Sequence, residues 1–209
     1  MEFYSEEQWI DWVDKLAEDN HLVIDNFLPS ELFKQLERFM VEKIDQDRFE
    51  KAGIGAETEF QIKSEIRGDF TFWIEKKRDT VIQPFFTLAE EIVAKLNRYC
   101  FLSLSGYEFH LAHYPKGSFY KKHLDQFNHR SNRMVSVIIY FNKDWQKGDG
   151  GELKIYDPKG DSIVEPLANR CVIFKSGDVP HEVLITNKGR YSLTGWLLYQ
   201  PPVLGQLFG

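Results

Sequence analysis

His123 and Asp125 are separated by one residue, His181 lies far downstream, and Arg190 follows it together with Tyr191 and Ser192. Two imidazoles and one carboxylate can hold a ferrous ion on one face and leave the opposite coordination positions open. An arginine beyond the second histidine can grip a dicarboxylate that chelates the same metal, because a planar guanidinium matches a carboxylate bidentately. These residues together point to oxygen-activating chemistry rather than to a binding module.

The triplet carries little weight alone. With six histidines and 32 acidic residues in 209 positions, about one His-x-Asp/Glu triplet arises by chance. His123 is the only histidine in the chain with an acidic residue two places on. Ser118-Phe119-Tyr120 reads as a strand leading into an irregular loop over Gln126–Asn132, and on a strand residues i and i+2 share a face about 6–7 Å apart. His181 follows Val179-Pro180 and opens a short apolar run to Ile185, a second strand. Arg190, Ser192, Thr194 and Trp196 share one face by period-two alternation. His110 and His113 are three apart and face opposite ways on a strand, one toward the core and one outward, so neither is a ligand candidate. His21 and His129 have no evident partner.

These side chains need a scaffold, and the chain supplies two patterns. The first hundred residues read mainly as helix. Ser5 and Gln8 form a capping box ahead of Trp9, Trp12, Val13 and Leu16 at helical spacing. A short strand over Leu22–Leu28 precedes a second helix from Pro29-Ser30, with Leu32, Phe33, Leu36, Phe39, Met40 and Ile44 as its packing stripe. Lys51–Thr58 reads as a loop. Residues 66–77 mix charges with Phe70, Phe72 and Trp73, which predicts a turn or flexible lid. A third helix is predicted from Val81 to Arg98. From residue 101 about eight short apolar stretches alternate with Gly, Pro, Asn and Asp turn signals, which predicts a sandwich or jelly-roll barrel with the helices packed on one outer face. The expectation is one compact domain, α+β but mainly β, with residues 1–100 supporting a catalytic core at 101–209.

Composition narrows the partners. A formal charge of −6 lacks the basic footprint of a nucleic-acid backbone binder. Lys121-Lys122, Arg130 and Arg133 are local exceptions, either a solvated rim or a guide for substrate. Cys100 and Cys171 are the only cysteines, sit in no Cys-x-x-Cys pair, and read as reduced core thiols. The acidic N-terminus does not read as a signal peptide, and no apolar run approaches a membrane span. A soluble cytoplasmic protein is expected, while the oligomeric state stays open.

The stretch Tyr114-Pro115-Lys116-Gly117 with His123-Leu124-Asp125 resembles the prolyl 4-hydroxylases of the iron and 2-oxoglutarate dioxygenase superfamily, in particular the hypoxia-inducible-factor type and its bacterial relatives. Ile66-Arg67-Gly68-Asp69, Asn142-Lys143-Asp144-Trp145, Gly150-Gly151-Glu152-Leu153 and Pro180-His181-Glu182-Val183 carry the same resemblance, which spans roughly residues 66–199. It implies a double-stranded β-helix with Fe(II) held by His123, Asp125 and His181. It also implies Arg190 and Tyr140 on the distal carboxylate of 2-oxoglutarate, and Tyr114 and Thr194 lining the co-substrate pocket. Asp69 and Arg133 would stand at the substrate entrance, where a purely structural ion pair is the alternative, and Tyr120 and Trp196 near the substrate ring. The implied reaction uses O2, and ascorbate as an accessory, to convert 2-oxoglutarate to succinate and carbon dioxide while hydroxylating a proline in a protein or peptide. An oxygen-sensing role is compatible with it. The competing readings are a 2-oxoglutarate oxygenase acting on another residue or a small molecule, a cupin-like zinc or manganese hydrolase or isomerase, and a non-catalytic peptide-binding regulator.

Overall fold

The computed structural model describes residues 2–53, 66–126 and 131–199. The loops predicted over Lys51–Thr58 and Gln126–Asn132 fall largely outside that set, as do His129 and Arg130. Helix α1 (Glu6–Asp19) starts where expected. The Ser5 hydroxyl accepts from the Gln8 amide at 3.2 Å, and the Gln8 side chain accepts from the Ser5 amide at 3.0 Å, a reciprocal cap that satisfies two otherwise unpaired donors. Strand β1 (His21–Ile24), helix α2 (Ser30–Asp45), strands β2 (Glu50–Lys51) and β3 (Phe70–Ile74), a 3-10 turn (Thr80–Ile82) and helix α3 (Gln83–Cys100) follow. Eight further strands follow among the described residues: β4 (Gly106–Tyr114), β5 (Tyr120–His123), β6 (Arg133–Tyr140), β7 (Leu153–Ile155), β8 (Ser162–Val164), β9 (Cys171–Lys175), β10 (His181–Val183) and β11 (Arg190–Leu198).

They form two facing sheets, one of seven strands in the order β1-β9-β6-β11-β4-β3-β2 and one of four in the order β5-β10-β7-β8. Every pairing between the named strands is antiparallel. This is the expected jelly roll with helices beside it. Two expectations change. The first hundred residues are not only helical support, because β1, β2 and β3 extend the large sheet at both of its edges. The segment predicted as a flexible lid contains β3, hydrogen-bonded to β4 on one side and β2 on the other. The strand itself, Phe70-Thr71-Phe72-Trp73-Ile74, carries no charge, and the charged residues of the segment flank it on both sides.

That alternation separates two cores. Leu111 on β4, Val137 and Ile139 on β6, and Leu193 and Leu197 on β11 point to the helices, where they join Trp9, Leu36, Phe85 and Phe86. The residues one step out of phase, Ala112, Tyr114, Ile138, Tyr140, Val172 and Phe174, point to the small sheet and pack with Leu153, Ile155, Val179 and Val183. A cavity of about 660 Å³ opens beside this second core. No helix among the described residues is long and apolar enough to cross a membrane.

Candidate active site

Strand pairing brings His123 and His181 together. They are direct partners across the antiparallel β5 and β10, where Cβ atoms sit about 4.5–5.5 Å apart, and their ring centroids are 4.3 Å apart. Asp125 arrives differently from the sequence expectation. β5 ends at His123, so Asp125 is not the next same-face residue of a strand. It sits in a bend beyond the strand end, where the Ser136 hydroxyl on β6 donates to its Oδ2 at 2.7 Å and is itself 2.8 Å from the Ser176 hydroxyl.

The result is a compact donor set. One ligand atom from each of His123, Asp125 and His181 lies within 4.8 Å of the others. His123 Nε2 is 3.5 Å from Asp125 Oδ1, and His181 Nε2 is 3.7 Å from Asp125 Oδ2. Each Nδ1 faces a backbone carbonyl two residues earlier, His123 that of Lys121 at 2.7 Å and His181 that of Val179 at 3.0 Å. A carbonyl only accepts, so each Nδ1 carries the hydrogen and the Nε2 lone pair points inward. Burial lowers the His181 pKa to about 4, which keeps that lone pair available at neutral pH. Burial also works to raise the Asp125 carboxyl, but His181, His123 and the Ser136 hydroxyl outweigh it and hold the group well below the usual carboxylate range. Two oriented imidazoles and an ionised carboxylate fit a non-haem Fe(II) with open positions.

Arg190 lies at one end of the cavity. It is 2% exposed, it donates from Nε to the Gly151 carbonyl at 2.8 Å, and its Nη1 is 3.4 Å from the Ser192 hydroxyl. Among the described residues no carboxylate lies within ion-pair distance of it. Gly151 permits this position, since a Cβ there would come within 2.9 Å of Arg190 Cδ. Tyr114 and Tyr140 present their rings to the guanidinium, 4.8 and 5.0 Å from Cζ. Burial raises both phenols, so both remain protonated donors. The Tyr140 hydroxyl is buried and has no hydrogen-bond partner among the described residues. Tyr140 stands behind the cavity wall, whereas Tyr114, Thr194 and Arg190 line it. A buried cation flanked by phenolic donors makes a receptacle for an anion.

At the other end Arg133 donates to the Glu108 carboxylate at 2.6 and 2.8 Å and lies over the Trp196 ring, 3.4 Å from its centroid. Asp69 and Arg133 therefore belong to separate pairs. Asp69 is fully buried and outside the cavity wall. It accepts two hydrogen bonds of 2.5 and 2.7 Å from Arg67, and Arg67 rather than Asp69 lines the cavity. Arg67 covers the Tyr120 ring at 4.4 Å, and Tyr120 stacks on His123 with centroids 3.6 Å apart. Tyr120 thus lines the cavity while bracing a ligand. Arg67, Ser136, Trp73, Glu108 and His110 were not read from the sequence as site residues. Glu108 and His110 carried a usable signal, since they share the phase of Tyr114 on one strand. His113 does face away and stacks on Tyr191 with centroids 4.6 Å apart.

Comparison with known proteins agrees with this geometry. Residues 109–198 match the 2OG-Fe(II) oxygenase superfamily. Human Egl nine homolog 1 is 31% identical over 188 residues, 83% of this chain and 42% of that protein. Mouse prolyl hydroxylase EGLN3 is 34% identical over 146 residues, 64% of this chain and 59% of that protein. The chain thus spans about half the length of the curated relatives it matches. A prolyl hydroxylase from Trichoplax adhaerens, solved in complex with a hypoxia inducible factor oxygen degradation domain peptide fragment, superposes with a TM-score of 0.84 at 25% identity, covering 92% of this chain and 90% of that one. The crystal structure of a Pseudomonas putida prolyl-4-hydroxylase superposes with a TM-score of 0.84 at 34% identity, covering 92% of this chain and 100% of that one. Because this last likeness holds at 34% identity over the whole of the bacterial chain, the protein belongs to the prolyl 4-hydroxylase family of the 2OG-Fe(II) oxygenases.

Proposed function

We propose that the protein is a cytoplasmic Fe(II)- and 2-oxoglutarate-dependent dioxygenase that hydroxylates a prolyl residue, at the 4-position, in an intracellular protein. The observation that carries this reading is Arg190, a buried guanidinium with no carboxylate partner among the described residues, in the same cavity as the three-ligand centre. In this reading His123, Asp125 and His181 hold the metal, and Arg190 with Tyr114, Tyr140 and Thr194 holds 2-oxoglutarate. Bound iron supplies O2 activation coupled to oxidative decarboxylation of the keto acid, with ascorbate as an accessory reductant. The protein's share is to orient the ligands, neutralise the distal carboxylate and keep water from the reacting atoms.

The volume of about 660 Å³ suits a small co-substrate with one side chain of a larger partner, since small-molecule pockets run to roughly 300–1,000 Å³. The peptide carried by the Trichoplax neighbour supports a polypeptide as that partner. Arg133, Trp196, Tyr120 and Arg67 then face it, with Asp69 acting through Arg67. The test is to incubate purified protein with Fe(II), 2-oxoglutarate and a library of proline-centred peptides. Succinate release together with hydroxylated proline by mass spectrometry is expected, and His123→Ala should lose both iron and turnover. No succinate from iron-loaded protein, or normal iron retention by His123→Ala, contradicts the proposal. Oxygen sensing belongs to the same reading and is measured as the dependence of rate on dissolved O2.

A further inference from the structure

The three members of the donor set are not held in the same way. His123 and His181 are fixed to each other by register across β5 and β10. Asp125 lies past the end of β5, in a bend, and what holds it comes from the large sheet. The Gln126 amide donates to the Ser176 carbonyl at 3.2 Å, and the Ser176 amide donates to the Met134 carbonyl at 3.1 Å. The bend is thereby tied to the turn after β9 and, through it, to β6. The carboxylate itself is met by the Ser136 hydroxyl, 2.7 Å from Oδ2, and that hydroxyl is 2.8 Å from the hydroxyl of Ser176.

Ser136 interrupts an otherwise apolar stretch of β6. Val135 and Val137 flank it, and the next residue on its own face, Ile138, packs in the cavity-side core. Ser136 and Ser176 are both fully buried, and Asp125 is 6% exposed. A hydroxyl in such surroundings is costly unless it is hydrogen-bonded. An ionised carboxylate only accepts, so the Ser136 proton is committed to Asp125. The Ser136 oxygen is then left to accept from Ser176. The two hydroxyls form a chain with one direction, from Ser176 to Ser136 to Asp125, and the charged acceptor at its end makes the last bond the stronger one.

Resting on the reading of His123, Asp125 and His181 as metal ligands, we infer that Ser136 is a positioning residue that fixes the Asp125 carboxylate at the metal, and that Ser176 orients the Ser136 hydroxyl for this task. Without the donor the carboxylate is free to turn about its side-chain bonds. A ligand that must be ordered at each binding event holds the metal less tightly and for a shorter time. Outer hydrogen-bond partners of metal ligands are worth roughly 10–100-fold in affinity.

The test compares wild type with Ser136→Thr, Ser136→Val and Ser176→Ala. Thr and Val are both β-branched and alike in shape, so a disturbance of packing falls on both, and Val fills the space that a water would need to replace the hydroxyl. Mn(II) affinity is measured by calorimetry, and Mn(II) release by the time course of stripping with a chelator. Ser136→Val should bind Mn(II) roughly 10–100-fold more weakly than Ser136→Thr and release it faster, while Ser136→Thr stays near wild type. Ser176→Ala should lose affinity by a smaller factor. Equal Mn(II) affinity of Ser136→Val and Ser136→Thr, at or below the wild-type level, overturns the inference, and wild-type affinity of Ser176→Ala overturns the part assigned to Ser176. If wild type itself fails to bind Mn(II), the reading of the three ligands falls and this inference with it. If wild type binds and Ser136→Val binds as well, that reading stands and only this inference falls.

Discussion

At Arg190 the chemistry rests on one buried positive charge. Its Nε is committed to the Gly151 carbonyl, and its Nη1 has only a long contact to Ser192, so most of its hydrogen-bonding capacity is left for a ligand. Charge-assisted hydrogen bonds contribute about 1.5–3 kcal/mol each. Arg190→Met should therefore weaken 2-oxoglutarate binding at least about tenfold, measured by calorimetry on Mn(II)-loaded protein, while metal retention stays at the wild-type level. The ligand set behaves oppositely. His181→Ala should lose metal by elemental analysis, because its Nε2 is one of three donors.

The elements place these side chains by keeping two faces of one sheet distinct. β11 does this most strictly. Arg190, Thr194 and Trp196 serve the cavity, while Leu193 and Leu197 serve the helix-side core. Gly195 pairs with Phe109 across β11 and β4. A Cβ there would meet Phe109 Cδ1 at 2.1 Å and the Glu108 carbonyl at 2.4 Å. Neither neighbour can swing away, since Phe109 is packed against Phe85 and the carbonyl is backbone. Gly195→Ala should cost about 1–3 kcal/mol of stability, read as a lower denaturant midpoint. It should also raise the peptide KM, because Trp196 and Glu108 flank the strained point.

Across the whole molecule, acid stability should report the buried imidazole. The unfolded His110 takes a proton below about pH 6.5, whereas the native ring stays neutral until about pH 3. Between those values the unfolded state binds more protons, so stability falls as pH falls through 6.5. From pH 7 to pH 5 this one residue should remove about 2 kcal/mol. Denaturant titrations at the two pH values should show wild type losing about that much more than His110→Phe. The result concerns the fold as a unit, since His110 sits on a strand whose other face lies against the helix-side core.

Much of this was legible in one dimension. Short apolar stretches between turn signals located the strands after residue 100 and β1 before it, and helical spacing with a capping box located the three helices, because local backbone preference and burial of one face act over a few residues. The residue types of His123, Asp125, His181 and Arg190 set the chemistry, since ligand affinity belongs to the functional group. Only the tertiary structure decided which side chains share the cavity. The pairing of His123 with His181 is a register across two strands, and the swing of Asp125 depends on a serine from a third. The partners of Asp69 and Arg133 proved to be Arg67 and Glu108, and β3 proved to be a strand because β2 and β4 take its hydrogen bonds. Distance in the chain does not encode proximity in space, and the cavity that His110 lines exists only once both sheets are in place.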